Sequence, residues 1–359
     1  MDRSLPLPLT LTIPMTMALW GLIIKGDNLK SEVILRVVVL EGLRLGSDMS
    51  NSIHNGVIIC NPHVPSMKVD VLYHVGLDTD TTDLRKQFGD VKFVIMGGSP
   101  KRMKKIAERL LKALDVQLPC GTGLANIACA SDRYEMYKVG PILSVSHGMG
   151  VPSISILLHE MAKLLYHAGC QDVSFIRLGT CGGIGLEPGS VVITTSCLDC
   201  AFNDYFQLKI LGKTVRRPAH LDEHLVKELI ETAESMKPDF NVVAGKTMCA
   251  DDFYEGRCHQ GYFIFDVEQG RLDGAICEYT EEEKMVFLKK AYDCGVRNFE
   301  MESLGFAAFC QHLKIKAAVI CVTLVNRLVS DQISTPLEIM HAWQERPLEI
   351  LINYIKNQI

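Results

Sequence analysis

The stretch from Pro141 to Met161 constrains the fold of this chain more than any other. It begins with Pro141-Ile-Leu-Ser-Val145, a short apolar run entered through Gly140-Pro141, which is the pattern of a buried strand. Ser146-His-Gly-Met-Gly150 follows, where Gly148 and Gly150 allow a tight turn with close backbone approach, and Pro152 suits a helix start. From there Ile154, Leu157, Leu158, Met161, Leu164 and Leu165 recur at helical spacing on one face. Such a strand, turn and helix start is either an ordinary connection or the floor of a site for a small, electron-rich ligand at the carboxyl edge of a sheet.

The same grammar recurs along the chain. Lys92–Met96 predicts a strand, and Gly97-Gly-Ser-Pro100 turns it into a basic amphipathic helix through Ile106, Leu110 and Leu114. Val173–Leu178 predicts a strand that ends in a glycine-rich turn, Gly179-Thr-Cys-Gly-Gly-Ile-Gly185. Val191–Thr195 follows the turn Glu187-Pro-Gly189, and Ala317–Thr323 follows a helix that starts near Glu302. Strands alternating with helices imply an α/β fold whose sheet is covered on both faces, with function at the strand ends. At 359 residues and 48% hydrophobic, the chain can bury a large core, as one α/β domain or two smaller ones.

The first residues differ from the rest. Leu5–Ile24 is apolar, but Pro6, Pro8 and Pro14 interrupt any helix, and Asp2 beside Arg3 makes a poor secretory start. Residues 1–60 read as a poorly ordered extension, with a membrane or targeting segment as the alternative. The globular pattern begins near Cys60-Asn-Pro62 and defines a domain over 61–359. The 13 cysteines are odd in number and scattered, several in apolar segments (Cys129, Cys249, Cys310, Cys321), which favours reduced thiols and a cytoplasmic location over a disulfide framework. Cys197-Leu-Asp-Cys200 has redox spacing, yet no zinc partner motif lies nearby, so a structural role is expected. A net charge of -5 argues against nucleic acid as the main partner, and no membrane association is expected.

Polar residues gather at the predicted strand ends. Arg102 follows Gly97-Gly98, Arg177 precedes Leu178-Gly-Thr180, and Arg133 sits in Ser131-Asp-Arg-Tyr134. A buried arginine cannot shed its charge and needs a partner: a structural carboxylate, or a bound oxyanion such as phosphate whose oxygens match the guanidinium fork. Near a helix start, Glu300 and Glu302 flank Met301. One acid of such a pair can cap locally while the other projects into a pocket, where it accepts from vicinal sugar hydroxyls.

Together these pieces resemble the nucleoside phosphorylases of the uridine phosphorylase type, and among them the animal enzymes. The resemblance covers roughly residues 61–359. It rests on Gly97-Gly-Ser-Pro-Lys-Arg-Met103, Asp132-Arg-Tyr134, Ser146–Glu160, Arg177–Gly185, Phe253-Tyr-Glu-Gly256, Gln269-Gly-Arg-Leu-Asp-Gly274 and Glu300-Met-Glu-Ser303, continuing through Cys321–Arg327 and Asp331-Gln-Ile333. It implies a single α/β domain with a central mixed sheet surrounded by helices. It also implies reversible phosphorolysis of uridine to uracil and ribose 1-phosphate, with deoxyuridine open as a second substrate, and with no metal or organic cofactor.

By the same resemblance Gly98, Arg102, Arg177 and Thr180 hold phosphate, with Arg133 contributed across a homodimer interface. His74 reaches the neighbouring ribose, Met301 and Glu302 position the sugar, and Gln269 and Arg271 read the pyrimidine beside Phe253. Arg271, Glu302 and Arg177 would carry the catalytic load. Related purine enzymes place an aspartate after the last core strand, where this chain has Thr323-Leu-Val-Asn-Arg327, so a pyrimidine is expected.

Three departures stand out. Cys181 replaces the serine usual in the glycine-rich segment, and Ala130-Ser-Asp132 replaces a Gly-Thr-Asp pattern. The third is an insert, residues 257–268, that separates Phe253 from Gln269 and Arg271. Loop closure makes such a length tolerable for folding. Its apolar content raises the alternative of a catalytically impaired nucleoside-binding homologue, and a third reading is an altered base preference.

Overall fold

A computed structural model describes residues 56–118, 121–254 and 271–359. The extension through residue 55, the insert 257–268 and Gln269 lie outside the described residues. The elements follow in the order β1 (Val71–Leu72), β2 (Leu77–Asp78), α1 (Leu84–Phe88), β3 (Phe93–Gly97), α2 (Pro100–Ala113), β4 (Met136–Val139), β5 (Ile142–Ser146), α3 (Gly150–Ala168), β6 (Ser174–Gly183) and β7 (Val191–Leu198). The half-exposed hairpin β8 (Tyr205–Ile210) and β9 (Lys213–Pro218) comes next. Then follow α4 (Glu223–Met236), β10 (Val242–Cys249), α5 (Glu281–Asp293), β11 (Val296–Glu300), α6 (Ser303–His312), β12 (Lys316–Asn326), α7 (Leu337–Trp343) and α8 (Arg346–Lys356).

The predicted strands and helices form where their patterns placed them. β3 and β5 are buried along their whole length, as continuous apolar runs between covered faces require. α3 starts at Gly150, where φ is +79°, carries Pro152 in its first turn, and stops at Gly169 in the left-handed region at φ +73°. α4 is capped by Asp222, which accepts from the Leu225 N–H, and α5 by a reciprocal Thr280–Glu283 capping box.

An eight-stranded mixed sheet runs in the order β11-β10-β7-β12-β6-β3-β5-β4, and β11 pairs β6 as well. That extra pairing is antiparallel, joining Asn298 to Gly183 and Phe299 to Gly182, and it curls one half of the sheet into a closed loop of strands. α2 packs on β4 and β5 and touches α8, which packs on α4, while α3 packs against α1 and α6. These two groups cover the sheet from its two faces. No helix among the described residues is long and apolar enough to cross a membrane.

One expectation is corrected. The glycine-rich segment after Leu178 is not a turn: β6 runs on through Gly179-Thr-Cys-Gly-Gly183, paired with β12 on one side and β11 on the other. The glycines serve close approach rather than reversal. A Cβ on Gly182 would sit 2.2 Å from Arg327 Nε, and one on Gly183 would sit 2.8 Å from the Thr323 methyl.

Candidate active site

The antiparallel seam between β6 and β11 brings the carboxyl ends of oppositely running strands to one place. A cavity of about 490 Å³ opens there, within the range of small-molecule sites. Gly98, Arg102, Arg177, Thr180, Phe253, Arg271, Met301 and Glu302, all singled out from the sequence, line it.

At one end the donors converge. Arg102 stands on the first turn of α2 after Gly98, Arg177 on β6, and Thr180 on its glycine-rich continuation. Arg102 Nε, Arg177 Nε and both ring nitrogens of His147 are buried without a hydrogen-bond partner. Buried donors are rarely left so, and the two free Nε groups of Arg102 and Arg177, both lining the cavity, mark a place for an anion. Burial, and after it the charge of Arg177, pushes the Arg102 guanidinium down to about 10. The same two causes hold His147 neutral by pushing it down to about 3.

Beside the donors lies the acid pair. Arg177 Nη1 stands 2.9 Å from Glu300 Oε2, and its Nη2 bonds Glu302 Oε2. Glu300 is turned back on its own chain, accepting from the N–H groups of Glu302 at 2.9 Å and Ser303 at 3.0 Å, so it organises the start of α6. Glu302 accepts from the Gly150 N–H at 2.6 Å, which ties the glycine turn before α3 to the cavity. Burial opposes charge on both acids. On Glu302 the attraction of Arg177 and the Gly150 N–H win and hold the carboxyl below its usual range. On Glu300 burial outweighs Arg177, the Glu302 charge adds to it, and the carboxyl rises.

The far end of the cavity is aromatic and cationic. Arg271 Cζ lies 5.1 Å over the Phe253 ring, and Asp273 accepts from Arg271 Nε at 2.9 Å and Nη2 at 2.8 Å. That fork raises the Arg271 pKa and fixes the plane of its guanidinium. Gln332 in turn donates to Asp273 at 2.9 Å.

His74 and Arg133 stand apart from this cavity. The ring of His74 lies 6.4 Å from that of the buried Tyr134, the residue after Arg133 in the chain. Arg133 is exposed. Sequence reasoning gave no role to Arg327, which also lines the cavity and lies 5.4 Å over the Phe299 ring. Arg327 directly follows the buried strand β12, and like Arg177 in β6 it carries a charge that needs a partner. His147 sits inside Ser146-His-Gly-Met-Gly150, where only the glycines carry a local sequence signal. Among the described residues no group of three or more His, Cys, Asp or Glu is placed to hold a metal.

The sequence pattern of the Phosphorylase superfamily matches residues 92–356. Uridine phosphorylase 1 of Mus musculus is 48% identical over 314 residues, which is 87% of this chain and 96% of that protein. Among solved structures, a uridine phosphorylase of Phytophthora capsici superposes with a TM-score of 0.78 at 42% identity, covering 84% of this chain and 98% of the other. The uridine phosphorylase of Schistosoma mansoni in complex with uracil gives 0.76 at 41% identity, over 83% and 98%. These likenesses run through the strands and helices that build the cavity, and the chain therefore belongs to the Phosphorylase superfamily and, within it, to the uridine phosphorylases.

Proposed function

We propose that the chain catalyses the reversible phosphorolysis of uridine, and that the cavity at the β6–β11 seam is where it does so. The observation that carries this reading is the coexistence, in one cavity, of two buried arginine Nε donors without partners, a carboxylate held by Arg177 and the Gly150 N–H, and an oriented arginine over an aromatic ring. Gly98, Arg102, Arg177 and Thr180 hold phosphate. Glu302 accepts from the vicinal ribose hydroxyls, with Met301 packed beside it. Phe253 lines the base, and Arg271, with Gln269, reads its polar edge. Arg327 supplies a second guanidinium at that end.

In this reading a phosphate oxygen attacks C1′ as the bond from C1′ to the ring nitrogen breaks, and the bonding pair leaves with uracil. Arg271 acts chiefly in the transition state, because charge on the departing base grows only there. Fixing phosphate against the sugar removes a further entropic barrier, worth up to about 7–11 kcal/mol in favourable cases. Phosphate is a co-substrate, and no metal or organic cofactor takes part. Arg133 and His74 lie on the surface through which a homodimer completes each site from the neighbouring subunit.

The test is uracil release by the purified full-length chain supplied with uridine and inorganic phosphate. Arg271→Ala is expected to lower kcat/KM about a hundredfold or more, the scale of losing one transition-state donor. Phosphate-dependent turnover that ignores Arg271→Ala would refute the base-end assignment. Absence of turnover with phosphate still bound would favour the impaired homologue.

A further inference from the structure

His74 is held from below by one carboxylate. Glu160, on α3, accepts from the backbone N–H of His74 at 3.0 and 3.1 Å and of Val75 at 2.9 Å, and its Oε1 lies 2.7 Å from His74 Nδ1. Glu160 is buried, whereas the His74 side chain keeps 40% of its surface exposed. Its placement breaks the pattern of its helix, since residue 160 sits between Leu157 and Leu164 on the apolar face. A carboxylate buried there needs a compensating purpose, and the turn around His74 supplies all the donors that Glu160 engages.

A carboxylate only accepts, so the proton in the short contact belongs to Nδ1. The neutral imidazole then carries a lone pair on Nε2, and this nitrogen is an acceptor. An acceptor of this kind matches a hydroxyl that donates. Once Glu302 takes the vicinal pair of ribose hydroxyls, the hydroxyl that remains on uridine is the 5′ one.

We infer that Glu160 is a positioning residue for uridine recognition: it fixes the tautomer and direction of His74 so that Nε2 accepts from the 5′-hydroxyl of the nucleoside in the neighbouring subunit. The inference rests on the proposed uridine reading and on the shared dimeric site. It places two duties on one helix. The N–H that opens α3 holds Glu302 for its own subunit's sugar, and about 15 Å further along, at 1.5 Å per residue, the same helix holds His74 for the partner's.

The experiment compares kcat/KM for uridine and for 5′-deoxyuridine, which lacks only the hydroxyl in question, in the wild-type chain, His74→Ala and Glu160→Gln. His74→Ala is expected to erase the preference for uridine. Glu160→Gln, whose amide can donate to Nδ1 and reverse the tautomer, is expected to cut the preference about tenfold while 5′-deoxyuridine turnover changes little. An unchanged preference in His74→Ala defeats the underlying view of His74. A preference lost in His74→Ala but kept in Glu160→Gln overturns the inference, and so does an equal loss on both substrates, which marks a structural residue only. Should Glu160→Gln fail to fold, the imidazole nitrogen shifts of His74 in the wild-type chain decide: protonation on Nδ1 supports the inference and protonation on Nε2 overturns it.

Discussion

At the residue scale the cavity is governed by charges that cannot leave. Arg177 stays charged because Glu302 and Glu300 outweigh the burial that would lower its pKa. Removing one acid would leave the guanidinium buried and half-paired, a situation that typically costs about 3–5 kcal/mol. His147 shows the opposite solution. In an unfolded chain its imidazole takes a proton below about pH 6.5, but in place it resists one until about pH 3. Between these values the unfolded state binds more protons, so stability falls as pH drops through the window, by about 1.4 kcal/mol per unit for one such group. Urea midpoints at pH 7 and pH 5 should therefore converge in His147→Gln relative to the wild type. An acid-side slope equal in the two proteins would remove His147 from this account.

At the element scale the turn before α3 matters more than its length suggests. Gly148 and Gly150 both have positive φ, +72° and +79°, and the Gly150 N–H is bonded to Glu302. A Cβ on Gly150 meets nothing closer than the Pro152 ring at 3.7 Å, so space is not the obstacle. Gly150→Ala should cost about 1–2 kcal/mol from backbone strain alone. By shifting the N–H it should also raise the KM for uridine more than that for phosphate. Thermal unfolding and initial rates check both parts, and a variant as stable as the wild type would show that the turn tolerates a side chain.

The elements also show where a sequence can be read and where it cannot. β3, β5 and α3 were legible because burial on both faces, or on one helical stripe, leaves a periodic trace. The continuation of β6 was not, since Gly179, Gly182 and Gly183 carry the signature of a turn while their cause is the proximity of Arg177, Thr323 and Arg327. Those neighbours come from β6 itself and from the end of β12, and the contacts between separate strands leave no local pattern. The arginines and Glu302 were legible because buried charge demands a partner. Glu160 broke an apolar stripe without a local explanation, because its partner, the turn at His74, precedes it by 86 residues.

At the scale of the whole molecule, the residues assigned to uridine fall into two sets. One set lines the cavity, and the other, His74 and Arg133, lies outside that lining. If two subunits complete each other's sites, Arg133→Ala and Arg177→Ala chains should each be nearly inactive alone yet complement when unfolded and refolded together. Half of the mixed population would then be heterodimers with one intact site each, returning about a quarter of wild-type activity. No recovery on mixing would place Arg133 outside the catalytic unit.

The pairing of β11 with β6 carries one more consequence. Gly182 and Phe299 are remote in the chain, and the cavity exists only where their strands touch. Contacts of such long sequence separation are slow to form, because loop closure must precede them. Without that one pairing the chain has no place to bind a nucleoside. Nucleoside binding in this molecule therefore reports on one long-range contact, and it is lost whenever that contact is open.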